Sequence, residues 1–167
     1  MRKLPFLTEE ELHEPALRII YALRKIHRVG FLHNDVTPSN ILVTRKYVQN
    51  EISTKVKLSG LSKTIPIELA PQVQDPPTSL YSAPEVITEG KYSVESDIWA
   101  LGATLFTLAN GYLPFKNQTE ILTKRLDWSN RKRGPFDPNF VQIVSEMLNK
   151  DAAQRPSLKQ IWDSPYF

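Results

Sequence analysis

A chain of 167 residues has room for one domain, and 41% hydrophobic with 10% aromatic residues argues against wholesale disorder. Its 21 Lys and Arg against 18 Asp and Glu leave a charge of +3, too small a balance to mark nucleic acid as a partner. With no Cys, a disulfide framework, a thiolate nucleophile and a zinc–thiolate site are excluded. The longest apolar run, Ile98 to Ala109, is interrupted by Gly102, Thr104 and Thr107 and is too short to span a bilayer. Met1 to Leu7 lacks the apolar core of a signal peptide, so a cytoplasmic protein without a membrane partner is expected.

Thr8 with Glu11 reads as a capping box, and Leu12, Ala16, Ile19, Ile20, Leu23 and Ile26 follow at helical spacing as one buried stripe. Pro15 should kink that helix or delay its start, and Gly30 should end it. His13 and His27 are expected at its surface, whereas His33 reads as a packed histidine. Ile41–Val43 and Val56–Leu58 are β-prone pieces around a polar stretch at Asn50, consistent with a small two-stranded ribbon. Residues 63 to 82 carry Pro66, Pro71, Pro76 and Pro77 with little periodicity and read as a long loop. Ser62, Thr64, Thr78 and Ser79 are its candidate phosphorylation sites by exposure.

From Ser93 to Asn110 the apolar residues point all round, which predicts a helix buried on every side and stopped at Gly111. A weaker helix is expected near Thr119 to Leu126. Asp137-Pro138 offers an N-cap and first-turn proline for a helix turning Phe140, Val141, Val144, Met147 and Leu148 inward. A last short helix runs from about Ser157 to Trp162, and Trp99 and Trp162 are expected in the core. Lys124, Arg125, Arg131, Lys132 and Arg133 surround Trp128; a solvated face explains them most simply, a nucleic-acid or acidic-partner site a distant second. The fold expected is mainly α with a small β-ribbon.

The chemistry-bearing run is His33-Asn34-Asp35-Val36-Thr37-Pro38-Ser39-Asn40. Taken alone, Asp35 and Asn40 would be loop-capping residues. The run resembles the protein-kinase catalytic loop, H-R-D-L-K-P-E-N. Tyr81-Ser82-Ala83-Pro84-Glu85 is similar to the A-P-E end of a kinase activation segment, and Asp97-Ile98-Trp99-Ala100-Leu101-Gly102 to the opening of the family's buried helix. Leu113-Pro114-Phe115 and Asp151 to Pro156 also match its C-terminal pattern. The resemblance implies the C-terminal lobe of a Ser/Thr protein kinase, loosely similar to calmodulin-dependent and AMP-activated types, with residues 59 to 85 as activation segment. It implies ATP and Mg²⁺ as cofactors, Asp35 as catalytic base, Asn40 as the Mg²⁺-binding amide and Leu42 as the floor under adenine. It further implies that Asp97 holds the catalytic-loop backbone, that Glu85 and Arg155 form a buried ion pair, and that Thr78 faces the substrate. Without it, Asp97 reads as an ordinary carboxylate at a helix N-terminus.

The departures shape the functional expectation. Where D-F-G should stand, the chain reads Leu58-Ser59-Gly60-Leu61-Ser62-Lys63. Ser59 replaces the Asp in an ungapped frame; in a frame set on Gly60 to Lys63 the Asp and Phe are deleted. Either way the carboxylate that bridges Mg²⁺ to phosphates is lost. Asn34 replaces the Arg that pairs with a phosphorylated activation loop, and Thr37 the Lys that steadies the transferring phosphoryl group. The six glycines lie at 30, 60, 90, 102, 111 and 134, so no G-x-G-x-x-G exists, and the N-terminal lobe is expected to be absent. The expectation is a catalytically deficient, pseudokinase-like or truncated chain, binding ATP and Mg²⁺ weakly or not at all. It would act as a protein-interaction module, with oligomers through the exposed inter-lobe face. The alternatives are a working Ser/Thr kinase whose N-terminal lobe is supplied elsewhere, and a non-functional gene fragment.

Overall fold

The computed structural model describes residues 8–48, 51–72, 79–129 and 135–167. Helix α1, Glu9–Arg28, is opened by Thr8, whose hydroxyl accepts from the Glu11 N–H while the Glu11 carboxylate accepts from the Thr8 N–H. Pro15 neither delays the start nor ends the helix, which runs 13 residues past it. Leu12, Ala16, Ile19, Ile20 and Leu23 are all fully buried, while Ile26 is only half-buried at the stripe's edge. The chain turns at Gly30 (φ 84°), whose N–H donates to the His27 carbonyl.

The β structure is more extensive than the sequence indicates. Strands β2, Ile41–Val48, and β3, Glu51–Leu58, pair antiparallel from Ile41↔Leu58 to Val48↔Glu51. Leu42 (52%) and Val43 (45%) are both exposed. Both faces of the ribbon near its base therefore meet solvent, so alternation of apolar and polar residues could not reveal its length. A second pair joins β1, Phe31–Leu32, to β4, Ile65–Pro66. The stretch after residue 62, read from the sequence as a long loop, thus contains β4 and 3₁₀ turns at Leu61–Lys63 and Ile67–Gln72. Thr64 is half-buried with its hydroxyl out of solvent, so it is no exposed phosphoacceptor. Thr78 lies outside the described residues, as do Arg131, Lys132 and Arg133.

Helix α2, Pro84–Glu89, was not legible in the sequence, being six residues long and starting on a proline. Helix α3, Val94–Asn110, is the axle of the fold, with 14 of its 17 residues buried. Ser93 caps it, and Gly111 ends it in the left-handed conformation. Helix α4, Gln118–Thr123, stops short of the expected Leu126. Helix α5, Pro138–Met147, is capped by Asp137, and α6, Leu158–Trp162, by Ser157. A Cβ on Gly102 would sit 2.7 Å from the Met147 Cβ, so the close approach of α3 to α5 requires glycine there.

Trp99 stacks on Phe115 at 5.7 Å within the core. Trp162 is only half-buried, contrary to expectation, because it lies at the end of the short α6 with Arg24 over its face. His13 is half-buried too: its Nε2 lies 3.1 Å from the Tyr166 carbonyl and its ring packs on Tyr166 and Phe167. No helix among the described residues is long and apolar enough to cross a membrane. The architecture is mainly α with small β-ribbons, wrapped round α3.

Candidate functional site

The loop after β1 begins with a backbone reversal. Asn34 takes φ 59°, a left-handed value that Asn tolerates better than most residues. That places two successive N–H groups, of His33 and Asn34, on the Asp97 carboxylate at 2.8 Å each. Asp97 stands in the first turn of α3 and is 99% buried, its exposure being 1%. Its third partner is His27, whose Nε2 lies 2.7 Å from Asp97 Oδ2. His27 is therefore not the surface residue its helical position indicates: the 70-residue separation concealed its partner.

His33 is fully buried. Its Nδ1 accepts from the Asp35 N–H at 3.2 Å, and its Nε2 contacts the Ser59 carbonyl at 2.9 Å. A backbone N–H can donate only to a free lone pair and a carbonyl can only accept, so the ring is the neutral Nε2–H tautomer. Both ring nitrogens are committed, and His33 locks the loop to the Ser59 segment instead of serving as a base. Val36 is in the core, and its carbonyl accepts from the buried Thr104 hydroxyl at 2.8 Å.

Asp35 is thereby brought to the mouth of the loop beside Asn40. The Asn40 amide Nδ2 donates to both the Asp35 carbonyl and Asp35 Oδ2 at 2.8 Å. Ser59 donates to the Asn40 carbonyl through its N–H (2.8 Å) and its hydroxyl (2.9 Å). Gly60, at φ 81°, lets the two strands of chain touch: a Cβ there would lie 2.3 Å from Asn40 Cγ. The remaining Asp35 oxygen, Oδ1, lies 3.4 Å from Lys63 Nζ. Lys63 was missed in the sequence; only its place at the end of Gly60-Leu61-Ser62-Lys63 hints at it, and 28 residues separate the partners. Thr37, 7% exposed, shares a hydrogen bond with the Ser39 hydroxyl at 2.8 Å, so this position offers no cation to a phosphoryl group. Leu42 stands on β2 at the same end of the ribbon, half exposed.

The donors present do not fit a Mg²⁺–nucleotide site. Mg²⁺ bound by protein normally takes one or two free carboxylates. Among the described residues, Asp35 is the one carboxylate hydrogen-bonded to the Asn40 side chain, and its oxygens already face an amide N–H and an ammonium. The Ser59 hydroxyl proton is directed at a carbonyl. Among the described residues no three His, Asp or Glu side chains converge as metal ligands.

Glu85 on α2 meets Arg155 through two parallel bonds, Nη1 to Oε1 at 2.6 Å and Nη2 to Oε2 at 2.8 Å. Arg155 also donates to the carbonyls of Glu95 (2.8 Å) and Asn149 (2.9 Å), and its side chain is wholly buried. The pair ties the segment around Tyr81 to the base of the fold. Beside it, Lys150 extends over the rings of Phe115 (3.6 Å) and Trp99 (4.9 Å), its Nζ out of solvent and without a hydrogen-bond partner among the described residues. Burial, and then the neighbouring Arg155 charge, lower its pKa from 10.5 to about 8. Between those two values the unfolded chain holds a proton that the folded one has released, so stability rises with pH across that window. We expect unfolding free energies measured from pH 8 to 10 to climb more steeply for the native chain than for Lys150→Met. Parallel slopes would show that Lys150 titrates normally.

A family profile described as a protein kinase domain matches residues 1–167. The chain belongs to the protein kinase family. Its relatives are of serine/threonine type. A calcium and calcium/calmodulin-dependent serine/threonine-protein kinase of Pisum sativum is 28% identical over 95% of this chain and 31% of its own length. Ribosomal protein S6 kinase alpha-6 of Mus musculus is 31% identical over 92% of this chain and 22% of its own. Serine/threonine-protein kinase PLK4 of Danio rerio is 28% identical over 99% and 17% respectively. The kinase-family chain thus spans about a third or less of these relatives. A crystal structure of the Rad53 kinase domain and SCD2 matches with a TM-score of 0.76 at 24% identity, covering 96% of this chain and 56% of that one, a likeness of fold. A second Rad53 structure, in complex with AMPPNP, matches at 0.75 and 22%.

Proposed function

We propose that this Ser/Thr-kinase family member is deficient in phosphoryl transfer and acts by binding protein. The observation that carries this reading is the state of the Asp35 carboxylate. It is engaged by Asn40 and Lys63, and the Leu58-to-Lys63 segment, where the resemblance places a metal-binding carboxylate, offers a neutral serine at position 59 and no Asp or Glu in either frame. Catalysis of phosphoryl transfer is mostly positioning and charge stabilisation, so an unanchored metal removes a large part of it. Leu42, Val43 and Leu61 are 45–58% exposed around the ribbon base, and a protein partner or a second copy would sit against one or another of these apolar side chains.

A second reading rests on a different observation. The loop backbone is held by Asp97, His33 and Thr104 as a catalytic loop would need to be, and Asp35 and Asn40 remain side by side. A working Ser/Thr kinase whose phosphate-binding half comes from elsewhere would keep that scaffold. The cytoplasm is the proposed location for either.

The test is metal and nucleotide binding. Mg²⁺ with ATP should raise the melting temperature of the native chain by less than about 1 °C, the response to a ligand far below its Kd. Ser59→Asp places a second carboxylate beside Asn40, and should increase Mn²⁺ affinity measurably by electron paramagnetic resonance. Transfer of labelled phosphate from ATP to a protein hydroxyl by the native chain, abolished in Asp35→Ala, would overturn the deficient reading and leave the second.

A further inference from the structure

The C-terminal half of α1 carries Tyr21, Arg24, Lys25 and Arg28 at intervals of three and four residues, on one helix face. This face does not pack on the core: Tyr21 is 51% exposed, and the three cations are exposed with it. Together with Val94 at the head of α3 and Leu158 on α6 they bound an open groove whose lining contains no carboxylate. Elsewhere on the surface, Arg18, Lys63, Lys124 and Lys159 each lie against an acidic side chain. Among the described residues, Arg24, Lys25 and Arg28 have no such neighbour. Their charged heads rest instead near aromatic faces, Arg24 at 5.7 Å from the Trp162 ring and Lys25 at 4.9 Å from Tyr21. Such faces position a cation without neutralising it.

The groove also contains an unsatisfied polar group. His27 is nine-tenths buried, with 10% of its side chain exposed, and its Nε2 is held by Asp97. Its Nδ1 is out of solvent with no hydrogen-bond partner among the described residues. A helix C-terminus favours cations, which accounts for Lys25 and Arg28 in the last turn. The dipole does not account for Arg24 a turn earlier, for the acid-free concave lining, or for the unpaired imidazole nitrogen.

We propose that this groove binds an acidic peptide segment of a partner protein. Its carboxylates would lie along Arg24, Lys25 and Arg28, and one apolar side chain would rest on Tyr21 and Val94. The concavity favours a peptide over an anionic membrane, which is flat and is met by projecting side chains. The site stands whether or not the Asp35 cleft transfers phosphate.

The experiment uses the whole chain and a fluorescein-labelled peptide of Asp and Glu around a central Leu, followed by fluorescence anisotropy. A peptide of equal length with Asn and Gln in place of the acids should not bind. Lys25→Glu with Arg28→Glu, both exposed, should weaken binding of the acidic peptide at least about tenfold. Lys55→Glu with Lys57→Glu changes the net charge equally on β3 and should leave the affinity within about twofold. Circular dichroism establishes that both variants fold. Equal loss in the two double variants would reduce the effect to net charge, and an unchanged affinity in the groove variant would place binding elsewhere. Either result overturns the proposal. So does failure of the acidic peptide to bind, or binding to phosphatidylcholine–phosphatidylserine vesicles that the peptide cannot compete away.

Discussion

Arg155→Met lowers the free energy of unfolding by about 3–5 kcal/mol, as read by urea denaturation. The side chain is wholly buried, and its bidentate contact with Glu85 is supplemented by carbonyls of Glu95 and Asn149. Removing the guanidinium leaves the Glu85 carboxylate, 12% exposed, without its compensating charge, and leaves the two carbonyls without this donor. Glu85→Met should cost a comparable amount, because a buried cation then lacks its anion. The double variant should lose less than the sum of the two, with a coupling of about 2 kcal/mol or more, since neither desolvated charge is then left alone. Strict additivity would mean that the two groups do not act as a pair in solution.

Asp97→Ala should cost about 3–5 kcal/mol as well, with a second and more local signature. The carboxylate accepts from two backbone N–H groups and contacts His27, all from a nearly solvent-free position. Alanine leaves the His33 and Asn34 amides without acceptors and removes what holds Asn34 in its left-handed turn. Hydrogen exchange at those two amides should accelerate beyond what the change in global stability explains. Exchange that merely follows global unfolding would show that the loop is held without Asp97. Asp97→Asn is not a gentle substitute: an amide presents an NH₂ where one of the donors already points.

The helices other than α2 were legible because their signals are local. Thr8 with Glu11, Asp137 with Pro138, and Asn110-Gly111 mark ends through contacts spanning three or four residues, and the apolar stripe of α1 needs only the 3.6-residue period. The all-round apolar pattern of α3 likewise announced burial before any packing was known. The catalytic-loop resemblance located Asp35, Asn40, Asp97, Glu85 and Arg155 in the chain; the structure brings Asp35 to Asn40, Asp97 to the His33 backbone and Glu85 to Arg155. What escaped were the pairings without a local or motif signature. His27 reads as a polar residue on a solvated helix, yet it is buried on Asp97; Lys63 reads as a loop lysine, yet it faces Asp35. Strands β2 and β3 extend beyond their apolar cores because backbone hydrogen bonds continue where side-chain patterning has stopped.

Composition, caps, periodicity and motif order were therefore enough to establish a mainly helical, kinase-like chain with no Asp or Glu between Leu58 and Lys63. Those properties are written in residue identity and short spacing. The engagement of Asp35 by a lysine, the clustering of cations along the α1 groove and the aromatic faces under Lys150 were decided only by tertiary structure. Each depends on which charges end up adjacent and how far water is kept from them, and both are set by the packing of elements distant in the chain.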